Sequence, residues 1–270
     1  MTDIDLTDIS GLPLHLDTET GLLTDRSGGL RLDEPGRRRF GELRAVVASP
    51  DAVDPIADEV AYLTYRDVRQ ATEAGLAANG LRYDVTVTLP GMVGGEYVKT
   101  AGHYHGLDAN GVSWPEIYDV LFGEAVFVLQ QAEGDPAGDP AVRRGIVLVA
   151  SAGDRLVIPP NFGHVTVNIG DTPLVVADLV ARASENHYQG YAQRRGGAVR
   201  VLAAFEENTF EAVWNPAYPE TPAGIDVLAV ADLPVFEMGI PLYRLGAELP
   251  DRVAFLTNPA SRGFEIHDAL

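Results

Sequence analysis

From Leu81 the chain runs as a succession of short apolar segments, at 82–89, 96–101, 116–122, 125–131, 145–150, 155–158, 165–169 and 174–181, separated by Gly, Pro, Asp and Asn. Their spacing and their content of Val, Ile, Leu and Phe predict strands joined by tight turns. Many short strands with Gly/Pro turns bury their faces as a sandwich or a barrel, so the fold class is all-β. Phe122-Gly123-Glu124 reads as a tight hairpin, and 133–140 as a polar loop between strands.

The flanks are less regular. Segments 14–17, 45–48 and 60–65 read as further strands, and 67–79 as a short helix closed by Asn79-Gly80. Segments 198–206 and 209–214 form another hairpin, a Pro-rich stretch at 216–222 ends the barrel, and a short helix falls near 249–256. This divides the chain into N-terminal strands packing on the barrel (1–80), a barrel with a metal site (81–216) and a small C-terminal extension (217–270).

One cluster of residue types carries chemistry. In His103-Tyr104-His105 the two imidazoles sit at i and i+2, and on a strand both point to one face, where neutral nitrogens can chelate one divalent ion. Glu116 follows on the next strand, and His164 stands behind Pro159-Pro160-Asn161-Phe162-Gly163. The chain has no Cys, so disulfides, a thiolate nucleophile and a thiolate zinc site are excluded, and every metal ligand is N or O.

With 270 residues, 46% of them hydrophobic, a sizeable core is available. A formal charge of −19 argues against nucleic acid, because phosphates would be repelled. The acidic start and the lack of an apolar run approaching membrane-spanning length lead us to expect no membrane association and a cytoplasmic protein.

The spacing resembles the two motifs of the cupin superfamily, a double-stranded β-helix or jelly-roll barrel. Asn161 stands where the second motif usually has Gly. Ten residues separate His105 from Glu116, more than in the general pattern, which reads as a loop insertion at 107–113 turning at Asn110-Gly111. More closely, Thr100-Ala-Gly-His-Tyr-His105, 115–123 and 157–171, with Asp17-Thr-Glu-Thr-Gly21, 88–91 and Trp214-Asn-Pro216, are similar to the cupin-type phosphoglucose isomerase family over roughly residues 10 to 216.

That resemblance implies interconversion of glucose 6-phosphate and fructose 6-phosphate, a step of glycolysis and gluconeogenesis, by a homodimer. It implies one divalent metal ion per chain, Fe²⁺ first and Mn²⁺, Ni²⁺ or Zn²⁺ as alternatives, held by His103, His105, Glu116 and His164. Glu116 would be a catalytic residue, and Tyr118, two residues on and so on the same inward face, is the second candidate, its hydroxyl placed to bond the substrate or the carboxylate. Whether Glu116 carries a proton or stays a ligand while a hydride moves is left open. Of the residues that meet the phosphorylated sugar in that family, Thr86, Thr100 and Gly102 match. Val180 and Asn186 fall where a tyrosine and a histidine would stand, so Arg182, His187 and Tyr188 are the candidates to complete the phosphate grip. His15 and His267 lie outside every motif and read as surface. A cupin enzyme of another reaction, such as a dioxygenase or an isomerase of a different sugar, and a non-catalytic sugar-binding cupin remain the alternative readings.

Overall fold

The computed structural model describes residues 3–204, 209–218, 224–230 and 237–261. Thirteen of its strands matter here: β1 (Asp3–Asp5), β2 (Leu14–Asp17), β3 (Leu23–Asp25), β4 (Gly36–Arg39), β5 (Val60–Tyr65), β6 (Leu81–Thr88), β7 (Glu116–Phe122), β8 (Glu124–Glu133), β9 (Ala141–Ser151), β10 (Arg155–Ile158), β11 (Phe162–Asn168), β12 (Leu174–Ala181) and β13 (Ile225–Ala229). Two sheets face each other. One has the order β10-β7-β12-β6-β5-β4 and the other β11-β8-β9-β13. Every pairing is antiparallel except the last, where β13 runs parallel to β9. From β7 to β12 the chain crosses between the sheets at every connection except the β8–β9 hairpin, as in a jelly roll.

The central strands are apolar on both faces because each sheet is covered on both sides. In β7, Tyr118 and Val120 point between the sheets, beside Phe127, Leu129, Ile146 and Leu148. Ile117 and Leu121 point outward into a second cluster with Leu14 and Leu16 of β2 and with Leu242 and Leu245 of helix α1 (Leu242–Glu248). The outer face of the other sheet, Val126, Val128, Val147 and Val165, packs on Leu43, Val46, Val47 and Tyr191.

The tail is held down by Arg155. Its guanidinium donates to both oxygens of Asp119, at 2.5 and 2.7 Å, and to the carbonyls of Glu237 and Ile240. β4 and β5 from 1–80 and β13 from 217–270 lie in the same two sheets as strands of 81–216, while β1–β3 form a three-stranded sheet of their own.

Several local expectations differ from the structure. Segment 45–48 is no strand: Arg44–Val46 forms a 3₁₀ turn that caps the outer core with Val46 and Val47. The helix expected over 67–79 contracts to Gly75–Ala78, because Arg69–Gln70 pairs with Leu30–Arg31 instead. The hairpin is Val199–Ala203 with Phe210–Trp214; residues 205–208 between them lie outside the described residues, as do 219–222 of the Pro-rich stretch and His267. The helix near 249–256 is a 3₁₀ segment, Pro250–Leu256, preceded by α1. His15, expected at the surface, is mostly covered and bonds Asp3 at 3.2 Å.

Candidate metal centre

The segment 98–103 lies along β11 through isolated bridges, and Tyr104–His105 then pairs with Asn186–His187. Lys99 bridges Val167 and His103 bridges His164. Three residues between the first pair of partners face two on the other side, which is a bulge, and Gly102 in it has φ 76°. A Cβ there would stand 2.5 Å from the Tyr191 ring. Bulges re-aim side chains, and this one turns His103 in toward His105.

Asn161, at the position where Gly is usual, has φ 67°. Asn is among the few side chains that tolerate this left-handed region, so the departure keeps the backbone course into β11. The insertion closes on itself: Asp108 accepts from the N–H groups of Asn110 and Val112 at 2.8 and 2.9 Å, and Leu107 bridges Ser113. Ser113 Oγ then accepts the Asn161 N–H at 2.5 Å, tying the two motif loops together.

One ligand atom from each of His103, His105, Glu116 and His164 lies within 4.8 Å of all the others. His103 Nε2 is 3.2 Å from His105 Nε2, and Glu116 Oε2 is 3.5 Å from His105 Nε2 and 3.2 Å from His164 Nε2. His105 Nδ1 lies 2.7 Å from the Trp114 carbonyl. A carbonyl only accepts, so Nδ1 carries the proton and Nε2 presents its lone pair inward. Burial holds His105 and His164 down to about 3 and His103 well below its ordinary value, so all three are neutral. Glu116 Oε2 is a buried acceptor without a donor. Three lone pairs and an orphaned carboxylate oxygen converging on one point fit a divalent cation.

Glu116 has a carboxyl neighbour. Asp178 on β12 is hydrogen-bonded to it, and burial pushes both carboxyls up. Tyr118 Oη is 3.2 Å from His164 Nε2 and stays protonated, since burial raises it well above 10.

The centre forms the base of a cavity of about 100 Å³. Thr86, Thr100, Gly102, Tyr118 and Tyr188 line it. The wall near Tyr188 is made with Asn186 rather than His187, whose ring turns toward Gly106, 3.1 Å from where a Cβ would stand there. Arg182, expected to share the face of Val180, departs from it. β12 ends at Ala181, the Arg182 N–H bonds the Gly80 carbonyl, and its guanidinium is captured by Asp67. Asp67 also holds Arg31 at 2.7 Å and Arg69 at 3.5 Å. The arginines that do line the cavity are Arg38, Arg66 and Arg82, with Tyr62, Thr64 and Asp178. None was singled out from sequence, although a lone Asp in the apolar run 174–181 was a visible signal.

A family model described as Glucose-6-phosphate isomerase (GPI) matches residues 37–216, a span that contains the whole centre. The chain is 28% identical over 206 residues to a glucose-6-phosphate isomerase of Pyrococcus furiosus, covering 76% of this chain and 95% of that protein. It is 26% identical over 198 residues to the glucose-6-phosphate isomerase of Thermococcus litoralis, covering 72% and 89%. Among solved structures, Bacillus subtilis oxalate decarboxylase aligns with a TM-score of 0.33 and 18% identity over 48% of this chain, which spans 29% of that one.

Proposed function

The chain belongs to the glucose-6-phosphate isomerase family, and on that premise we propose that it interconverts glucose 6-phosphate and fructose 6-phosphate as a metal-dependent aldose–ketose isomerase. The observation that carries this is the convergence of His103, His105, Glu116 and His164 at the base of a cavity that also offers hydroxyl, amide and guanidinium donors. A divalent ion held by those four side chains would supply a Lewis acid for the adjacent oxygens on C1 and C2. Its N and O donors suit Fe²⁺, the ion we assign, and also Mn²⁺, Ni²⁺ and Zn²⁺.

The side chains do the rest. Glu116, as the carboxylate, takes hydrogen from one carbon as a proton and returns it to the other. Tyr118, protonated and on the same inward face, steadies the carboxylate and donates to a sugar oxygen. Thr86, Thr100 and Gly102 receive the phosphate end, with Tyr188 at the mouth. We assign this chemistry to 81–216, packed on by 1–80 and extended by 217–270, and place it in the cytoplasm, in glycolysis and gluconeogenesis. Two copies pair into a homodimer that covers a sheet edge, and a monomer mass in light scattering would remove that pairing. A coupled assay for fructose 6-phosphate isomerisation, run on metal-stripped and reconstituted protein, tests the activity. The reading requires turnover that vanishes with the metal and returns with it.

A further inference from the structure

We propose that Arg66 and Arg82, tied together by Asp84, are the anion clamp of this cavity and set its preference for a phosphate monoester over a neutral sugar. The clamp deepens the isomerase reading and rests on it for the identity of the sugar. Arg82, Asp84 and Thr86 alternate along β6 on its inward face, and Arg66 follows directly on β5. Asp84 is fully buried and its acceptors are engaged: Oδ2 takes Arg66 Nη1 at 2.5 Å and Arg82 Nε at 2.8 Å, while Oδ1 takes the Asp67 N–H at 2.8 Å. Two guanidinium groups share one carboxylate, so the unit carries a surplus positive charge, and both arginines line the cavity. That is a local exception in a chain of formal charge −19. Arg38, the third arginine of the wall, is answered by Glu42 at 3.3 Å and lies over the Tyr62 ring.

The position is as informative as the charge. Arg82 sits opposite Val180 and Val180 opposite Glu116 in one cross-strand row. Two strand spacings put the Arg82 and Glu116 backbones roughly 10 Å apart, which leaves the sugar between the clamp and the ligand cluster. Thr64 and Thr86, paired across β5 and β6, add two hydroxyls beside the arginines. Asp178 of β12 stands directly across from Asp84, with Glu116 one strand further on, so within this wall the guanidinium groups are the part that attracts a phosphate. Guanidinium forks held in place by Asp84 lose little freedom on meeting a phosphate, which they match in a bidentate way.

Calorimetric titration of the metal-loaded protein with fructose 6-phosphate and with free fructose tests the clamp. Arg66→Ala and Arg82→Ala are expected to narrow the affinity gap between the two ligands by about 10- to 100-fold, with fructose affinity and metal content unchanged. Arg66→Lys, which keeps charge but not the fork, should recover part of it. Arg66 is half exposed, so its variants remain informative even where Arg82→Ala fails to fold. An unchanged gap in Arg66→Ala at full metal content would overturn the proposal. A parent protein that binds the ester without isomerising it would remove the isomerase reading, and the gap would still decide the clamp.

Discussion

His103 and His164 exchange both backbone hydrogen bonds, at 3.2 and 3.1 Å, across an antiparallel bridge, and their ring centroids lie 4.4 Å apart. The first and second halves of the ligand set are therefore brought together by main chain, with side-chain rotamers left only the final aim. A centre fixed by backbone is built to hold its geometry with or without an ion.

His164→Ala removes the ligand contributed by β11 while the bridge, made by backbone, persists. Elemental analysis should find about one divalent ion per parent chain and a sharp loss in the variant. Equal metal in both would exclude His164 as a ligand.

Glu116→Gln keeps shape but cannot accept a proton or supply a charge. Turnover should fall by about 10²- to 10⁴-fold. Parental turnover in a metal-replete variant would remove Glu116 from the chemistry.

Burial sets a pH dependence. Below pH 6.5 the unfolded chain takes up protons on its imidazoles that the folded, metal-free chain refuses, since His105 and His164 are held down to about 3. The stability each contributes is complete above 6.5 and is lost as the pH falls toward 3, which amounts to about 2 kcal/mol per imidazole at pH 5. Urea unfolding of metal-free protein at about pH 7.5 and 5 should show the parent losing about 2 kcal/mol more than His164→Ala. Equal losses would mean that protons reach this ring in the folded state.

Asn161→Gly should fold as well as the parent or slightly better, because glycine adopts φ 67° without strain. Asn161→Ala should cost about 1–2 kcal/mol, read as a lower urea midpoint at unchanged slope. Equal midpoints for the two variants would place no strain at this turn.

Much of the barrel was legible because its strands are bounded by residues with one structural use. The segments at 60–65, 116–122, 155–158 and 174–181 coincide with strands of the structure. His103, His105, Glu116 and His164 stood out because an imidazole pair at i, i+2 is joined by a Glu on the next strand and a third His behind a Pro-Pro turn. The anion end was not legible. Arg182 was placed by extending β12 one step past its end, and nothing local announces that Asp67, 115 residues earlier, takes its guanidinium. Arg66 and Arg82 were not singled out because their common partner, Asp84, becomes a buried hub only when β5 and β6 pair. β13 was missed because it is short and mostly exposed, and its partner β9 is far away in sequence.

That parallel pairing governs how the protein comes together. Ile225 sits opposite Gly145, so the second sheet keeps an open edge on β9 until chain beyond residue 225 has been synthesised and has closed a long loop. Nascent or truncated chains ending near 216 would present that edge to one another. Such fragments should aggregate during refolding while the full chain stops at its dimer, and the tail would then act as a built-in guard against aggregation.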